Sequence, residues 1–528
     1  MKALLMHRDR DFVRLEDVPR PDRYRELEPK QQLSPHEGAL IQDLELKTLL
    51  RAMAGDDAFL FAVALRALLS GLRNDVDTIL YRQAILRDCL HHPAVIRKLY
   101  DVAVEAIEGR KKHWWGLGSH YPGHVLHSSM DLLQMFMVML RKLRQIAEQY
   151  AGTVRSEGLV TLFATLESEL DDEYFATVQR HLAALKFRGG VLMSAELGPR
   201  NEGTGYMLRK DPDRRPPWLK RILRKGPPAY TFHLHPRDET GGRILSNLCG
   251  RGVNNVANAL GQSTDHVLSF FEILRTELAF YVGCLNLRDR LAGMEMPVCL
   301  PQPEPVGARQ HRFSGLYDVC LALTMGRSVV GNEHDADHKS LIIVTGANQG
   351  GKSTFLRAIG IAQLMMQCGM FVGAESFATD VCAGVYTHYK REEDPTMTSG
   401  KLDEELARMS EIADAVTPNS LALFNESFAA TNEREGSEIA RQVVRALLEK
   451  RIKVFFVTHL YDFAHSLFER QSNDAFFLRA ERLPDGTRTF KLIEGEPLET
   501  SYGQDLYREV FATQTEPLAS DDLSVQPA

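Results

Sequence analysis

The chain has 528 residues, 44% apolar and 25% charged, the balance of an ordinary soluble globular protein with core for roughly two to four domains. No apolar run reaches the ~18 to 20 residues that a bilayer demands, and Met1 to Phe12 is interrupted by Lys2, Arg8 and Arg10. No membrane-spanning helix and no secretory signal are expected from this, and a cytoplasmic protein with no membrane partner is the default. The net charge of −7 excludes general attraction to polyanions, so any contact with DNA has to use a local basic surface.

Residues 1–44 open with a predicted short strand and turn polar and proline-containing. Residues 45–187 read as a helical core or lever. Phe61, Leu65, Leu68 and Leu72, and then Leu132, Met135, Met139 and Leu143, recur at three- and four-residue steps that suit the seams of a bundle. His113, His120, His124 and His127 crowd around Trp114, Trp115 and Tyr121. Gly116, Gly118, Pro122 and Gly123 make this stretch a loop, and no cysteine joins it as a metal ligand. The seven cysteines of the chain form no C-x-x-C pair and read as reduced, mostly buried thiols.

Residues 188–240 change character. Gly190, Val191, Met193, Gly203 and Gly205 suggest a small β-rich connector. A basic stretch follows, carrying Arg209, Lys210, Arg214, Arg215, Lys220, Arg221, Arg224 and Lys225 against Asp211 and Asp213. With Tyr206 and Trp218 nearby it suits DNA phosphates and some base stacking, and it equally suits a solvated connector. Residues 241–299 read as lever helices. A helix is predicted from about Asp265 to Leu291, with Val267, Phe271, Leu274, Leu278, Tyr281 and Leu285 as one apolar stripe. From residue 300 to 513, short apolar runs alternate with helical segments, the pattern of a parallel-sheet α/β domain. Residues 514–528 are polar and are expected to be a disordered tail.

The run Leu341-Ile342-Ile343-Val344 predicts a buried strand, and the glycine string Gly346, Ala347, Asn348, Gln349, Gly350, Gly351, Lys352, Ser353 follows it. Thr354 and an apolar helix, Phe355 to Met366, come next. Strand, glycine loop and helix are the context in which G-x-x-x-x-G-K-[ST] wraps phosphates with backbone N–H groups. Lys352 is expected on the β- and γ-phosphates of ATP and Ser353 on Mg²⁺. A second strand, Leu421 to Phe424, ends in Asn425 and Glu426. Asn425 can reach the magnesium shell without supplying charge, and Glu426 can polarise the attacking water. A third, Val454 to Val457, ends in Thr458-His459, where His459 can touch the γ-phosphate or its water.

These residues together resemble the MutS family of DNA mismatch-repair proteins. The likeness rests on T-G-A-N-Q-G-G-K-S-T (Thr345 to Thr354), G-M-F-V-G-A-E (Gly369 to Glu375), N-E-S-F-A-A-T-N-E-R-E-G (Asn425 to Gly436) against the family's D-E-I-G-R-G-T-S, and V-T-H (Val457 to His459). The helix Leu402 to Ala415 and the segment P-V-C-L-P-Q fit as well. The resemblance is firm over about 240–515 and loose over 45–185. It implies an α/β P-loop ATPase domain of ABC type beside a large, mainly α-helical lever and core domain. It also implies ATP and Mg²⁺ as ligands, and a homodimer joined through the ATPase domains. Ser399 is the nearest match to the serine that family members lend to their partner's site. Asn332 matches an asparagine near the adenine, and Tyr386 or Tyr389 offers a ring to the base.

There are departures. The family's mismatch wedge, a Phe-x-Glu in a G-x-F-Y-E context, has no counterpart in the first 230 residues, where Tyr24 and Glu26 lack the glycine. Glu375 and Asn425 stand where Gln and Asp are usual. The sequence therefore predicts a shortened MutS-type, ATP-dependent DNA clamp acting in mismatch repair or related DNA metabolism, without strong mismatch preference. The alternative is a nucleotide-dependent protein-interaction switch that never touches DNA. A small-molecule kinase fits the long helical arm and the Thr458-His459 end less well.

Overall fold

The computed structural model describes residues 2–8, 35–113, 121–187, 190–209, 231, 233–391 and 400–498. They form two compact units, one of residues 1–5 and 92–278, the other of residues 6–91 and 279–528. No helix among the described residues is long and apolar enough to cross a membrane.

The first unit is a helical bundle with a small hairpin. Helix Pro122–Tyr150 begins with Pro in its first turn, where the missing N–H has no intrahelical partner to lose. It buries Leu126, Met130, Phe136, Met139 and Leu143, while Met135 of the predicted seam is only half-buried. Asp171 caps Asp172–Ala184 by accepting from the Tyr174 N–H. His124 and His127, expected in a loop, sit on the first turns of Pro122–Tyr150, and the His127 ring engages the Gly123 carbonyl at 2.7 Å. The predicted connector contains a real hairpin, β1 (Met193–Leu197) with β2 (Gly203–Leu208).

The helix expected to be a lever runs from Glu239 to Ala292, far longer than the predicted Asp265 to Leu291. Gly241, Gly242, Gly250, Gly252 and Gly261 dilute its apolar period, and each weakens a helix by about 1 kcal/mol against Ala. Packing supplies the reason at Gly252: a Cβ there would lie 1.8 Å from the Met193 sulfur of β1.

The second unit carries two sheets. The strands are β3 (Gln302–Glu304), β4 (His311–Leu316), β5 (Asn332–Asp335), β6 (Leu341–Gly346), β7 (Ser376–Asp380), β8 (Val385–Tyr389), β9 (Leu421–Asn425), β10 (Lys453–Val457), β11 (Ala475–Arg482) and β12 (Arg488–Glu494). Six make one sheet in the order β12-β11-β6-β10-β9-β8, parallel except for β12. Four make a smaller one, β3-β7-β4-β5. The three apolar runs read from sequence are β6, β9 and β10, side by side and covered on both faces, which is why they carry no polar alternation. Phe424 and Phe456 stack across β9 and β10 at 5.0 Å.

Helices Pro35–Asp43, Leu46–Ala54, Ala58–Gly71 and Val76–His91 belong to this unit, a correction to the single helical domain expected over 45–187. Ala58–Gly71 turns Leu60, Ala64, Ala67, Leu68 and Gly71 inward, one residue round from the predicted face, so Phe61, Leu65 and Leu72 are only half-buried. Small residues win that face because it meets helix Lys352–Gln367 closely: a Cβ on Gly71 would lie 2.8 Å from the Cys368 Cβ.

Candidate active site

Parallel register brings Val344 of β6, Val457 of β10 and Asn425 of β9 into one row at the carboxyl ends of their strands. Open α/β sheets gather ligands at such a row, because loops leave the strands there and helices begin there. The glycine loop leaves β6 at this point and enters helix Lys352–Gln367 at Gly351, which takes a left-handed φ of 88°. Gly346 has a φ of 105°, and a Cβ on it would come within 2.8 Å of the Ala480 N. Only glycine satisfies both conditions.

The Lys352 side chain is buried and folds back over the loop, donating to the carbonyls of Gly346 at 3.0 Å and Ala347 at 2.9 Å. An ammonium has three hydrogens, so one stays free for a ligand oxygen. Burial lowers its pKa from 10.5 to about 8; nearby Glu426 opposes that shift and Arg488 adds to it. The next residue, Ser353, donates its hydroxyl to Asn425 Oδ1 at 2.9 Å. Two elements 72 residues apart in sequence thus meet through the two side chains expected around the cation. Those two oxygens and the neighbouring Glu426 carboxylate are hard donors of the type Mg²⁺ takes, with the charge on 426 and not on 425.

Glu426 has a φ of 54°, and its N–H donates to the Val457 carbonyl at 2.9 Å. His459 Nε2 lies 3.2 Å from Glu426 Oε1. The hydrogen bond from His459, helped by the charges of Lys352 and Lys390, holds the Glu426 carboxyl below the usual range against the opposing effect of burial. A carboxylate kept ionised beside a lysine and a histidine can accept a proton.

Asn332, expected near the adenine, bonds the strand that carries Phe490. The asparagine is buried, and its Oδ1 accepts from the Leu492 N–H at 2.7 Å, tying β5 to β12. Tyr386 and Tyr389 lie on β8, with β9 and β10 between them and β6. Tyr389 is buried and Tyr386 donates to the Ala415 carbonyl, so neither ring faces the loop as the resemblance implied. Ser399, the basic residues Lys210 to Lys225, Tyr24 and Glu26 lie outside the described residues. Arg209 donates to the Ser194 hydroxyl at 2.8 Å and closes the β1–β2 hairpin.

Sequence reasoning missed the wall that β12 makes beside the loop. Phe490, with a φ of 60° and half of its surface exposed, sits against Gly351, whose built Cβ would lie 3.5 Å from the Phe490 carbonyl oxygen. The Pro484-Asp485-Gly486 turn marks a β11–β12 hairpin in the sequence, but its place beside the loop follows from the pairing of β11 with β6, more than a hundred residues earlier in the chain.

Comparison with known proteins adds a family. The model of the MutS2 N-terminal domain matches residues 74–294, and that of MutS domain V matches residues 342–513. MutS protein homolog 4 of Mus musculus is 26% identical over 196 residues, covering 36% of this chain and 20% of its own. DNA mismatch repair protein MutS of Thermus aquaticus is 30% identical over 177 residues, covering 34% and 22%. Endonuclease MutS2 of Thermus thermophilus is 32% identical over 180 residues, covering 34% and 23%. The matched part spans about a fifth of the length of these relatives.

Proposed function

The chain belongs to the MutS family, and from that premise we propose that it is a Mg²⁺-dependent ATPase that couples nucleotide state to DNA binding. The reading is supported above all by one observation: Lys352, Ser353, Asn425, Glu426 and His459, which follow or end the three parallel strands β6, β9 and β10, share the carboxyl end of those strands.

In this reading Gly346 to Thr354 wrap the triphosphate with backbone N–H groups, and Lys352 meets the β- and γ-oxygens. Ser353 and Asn425 would hold the magnesium shell, and the ion would supply charge neutralisation to the phosphates. Glu426 takes a proton from water as its oxygen bonds the γ-phosphorus and the bond to the β–γ bridging oxygen breaks. ADP and phosphate leave, and the proton passes to bulk water. His459 orients Glu426 through their hydrogen bond. Phe490 offers an exposed ring beside the loop for the base.

The carrying test is retention of labelled ATP with Mg²⁺ by the purified chain, with Lys352→Ala as comparison. Wild type is expected to retain nucleotide and Lys352→Ala to lose both retention and hydrolysis. Absence of any wild-type retention defeats the ATPase reading.

For DNA, the family and the basic run of Arg209, Lys210, Arg214, Arg215, Lys220, Arg221, Arg224 and Lys225 support weak, salt-sensitive, backbone-directed contact. A homodimer closed by ATP is the expected working form. Filter binding of homoduplex and mismatched duplex at two salt concentrations, with and without ATP, tests this. Equal, salt-sensitive binding is expected; complete absence of binding favours a protein-interaction switch instead.

A further inference from the structure

The wall strand β12 begins with Arg488, a residue that the phosphate-loop pattern does not contain. Its Nε and Nη2 are shielded from solvent and have no hydrogen-bond partner. A guanidinium in that condition is costly, because three of its five N–H donors have lost water and gained nothing. Its position relative to the loop follows from register. Leu492 of β12 pairs with Ala480 of β11, which pairs with Gly346 of β6. Ala480 also lies where Cβ atoms on Gly346 and Gly350 would sit, and Phe490 covers Gly351. Arg488 pairs with Arg482, beyond the end of β6, on the side toward which the glycine loop rises. Lys352 feels its charge there: Arg488 is one of the causes that lower the lysine's pKa.

The Arg488 and Lys352 cations thus repel one another, and Glu426 is the carboxylate that Lys352 senses. Like charges held together are mutually destabilising unless an anion joins them. An oligophosphate supplies both the charge and the oxygen acceptors that the free guanidinium donors lack.

Resting on the nucleotide reading above, we infer that Arg488 is a phosphate-contacting residue supplied by the chain's own β12, converging with Lys352 on the β- and γ-phosphates of ATP. Its donors meet oxygens present in full only in the triphosphate, so it favours ATP over ADP. It also links the β11–β12 hairpin to the presence of the terminal phosphate.

The test uses the full chain with Arg488→Gln and Arg488→Lys. Binding of ATP and ADP is measured by equilibrium dialysis, and thermal melting with and without nucleotide. Arg488→Gln is expected to weaken ATP binding by about tenfold or more and ADP binding by less, as loss of a charge-assisted contact requires. Arg488→Lys is expected to recover part of the loss, because charge returns without the fork. Without nucleotide, Arg488→Gln should melt no lower than wild type, since it removes an unpaired cation. A purely structural arginine predicts the reverse, and a clearly lower nucleotide-free melting temperature overturns the proposal. So does unchanged ATP affinity in Arg488→Gln while wild type binds normally. Should wild type itself bind no nucleotide, the ATPase reading fails and this inference with it, a result separable from the other two.

Discussion

Lys352 sets the pH behaviour expected of the site. Its folded pKa of about 8 lies below the ordinary 10.5 because the ammonium is buried. Between those two values the unfolded chain binds more protons than the folded one, so this residue makes nucleotide-free stability rise with pH across that window. Function moves the other way. ATP affinity should be flat below about pH 8 and fall above it by up to about tenfold per pH unit, as the charge that meets the phosphates is lost. Dialysis from pH 6.5 to 9.5 measures it, and a flat profile would remove Lys352 from the phosphates. Glu426→Gln should slow turnover by about 10²- to 10⁴-fold with ATP still bound. Equal turnover would end its role as base. Asn425→Asp adds a charge to the cation shell, and should lower the half-saturating Mg²⁺ concentration by roughly tenfold while Ser353 keeps its acceptor. No change there would take residue 425 out of the shell.

Among the elements, close approach outranks helix propensity at two places. Gly71 lies in a helix, where Ala is intrinsically better by about 1 kcal/mol. Yet a Cβ on it would press on Cys368 at 2.8 Å, so Gly71→Ala should destabilise by about 1 to 3 kcal/mol in denaturant melts. A stabilised variant would mean that the two helices can part at no cost. Gly346→Ala carries a φ of 105° as well as the clash with Ala480, and it should lose both melting temperature and nucleotide. The same logic explains Gly252 on helix Glu239–Ala292. There the glycine that weakens the sequence signal is the one that admits Met193.

For the molecule as a whole, the proposal joins a nucleotide head to a helical arm and a basic stretch. Charge reversal at Arg209, Arg214, Lys220 and Arg224 should weaken DNA binding and flatten its dependence on salt, since each neutralised phosphate adds close to one unit of slope. Unaltered binding would move the DNA surface elsewhere. ATP with Glu426→Gln should shift the sedimentation of the chain to a dimer, because hydrolysis no longer releases the closed form. A monomer under those conditions would remove the paired head.

Sequence alone determined the glycine loop and the three strands that present it. Each is a contiguous signal: an apolar β-branched run, a glycine string, and a polar residue where the run stops. Leu341 to Ser353, Asn425-Glu426 and Thr458-His459 could be read in that way because each piece is local. What lies between pieces could not. That Ser353 bonds Asn425, that Glu426 is held by His459, that Asn332 serves β12, and that Arg488 stands beside the loop all depend on strand order and register. Those are set by which surfaces bury together across more than a hundred residues, and no local period carries that information.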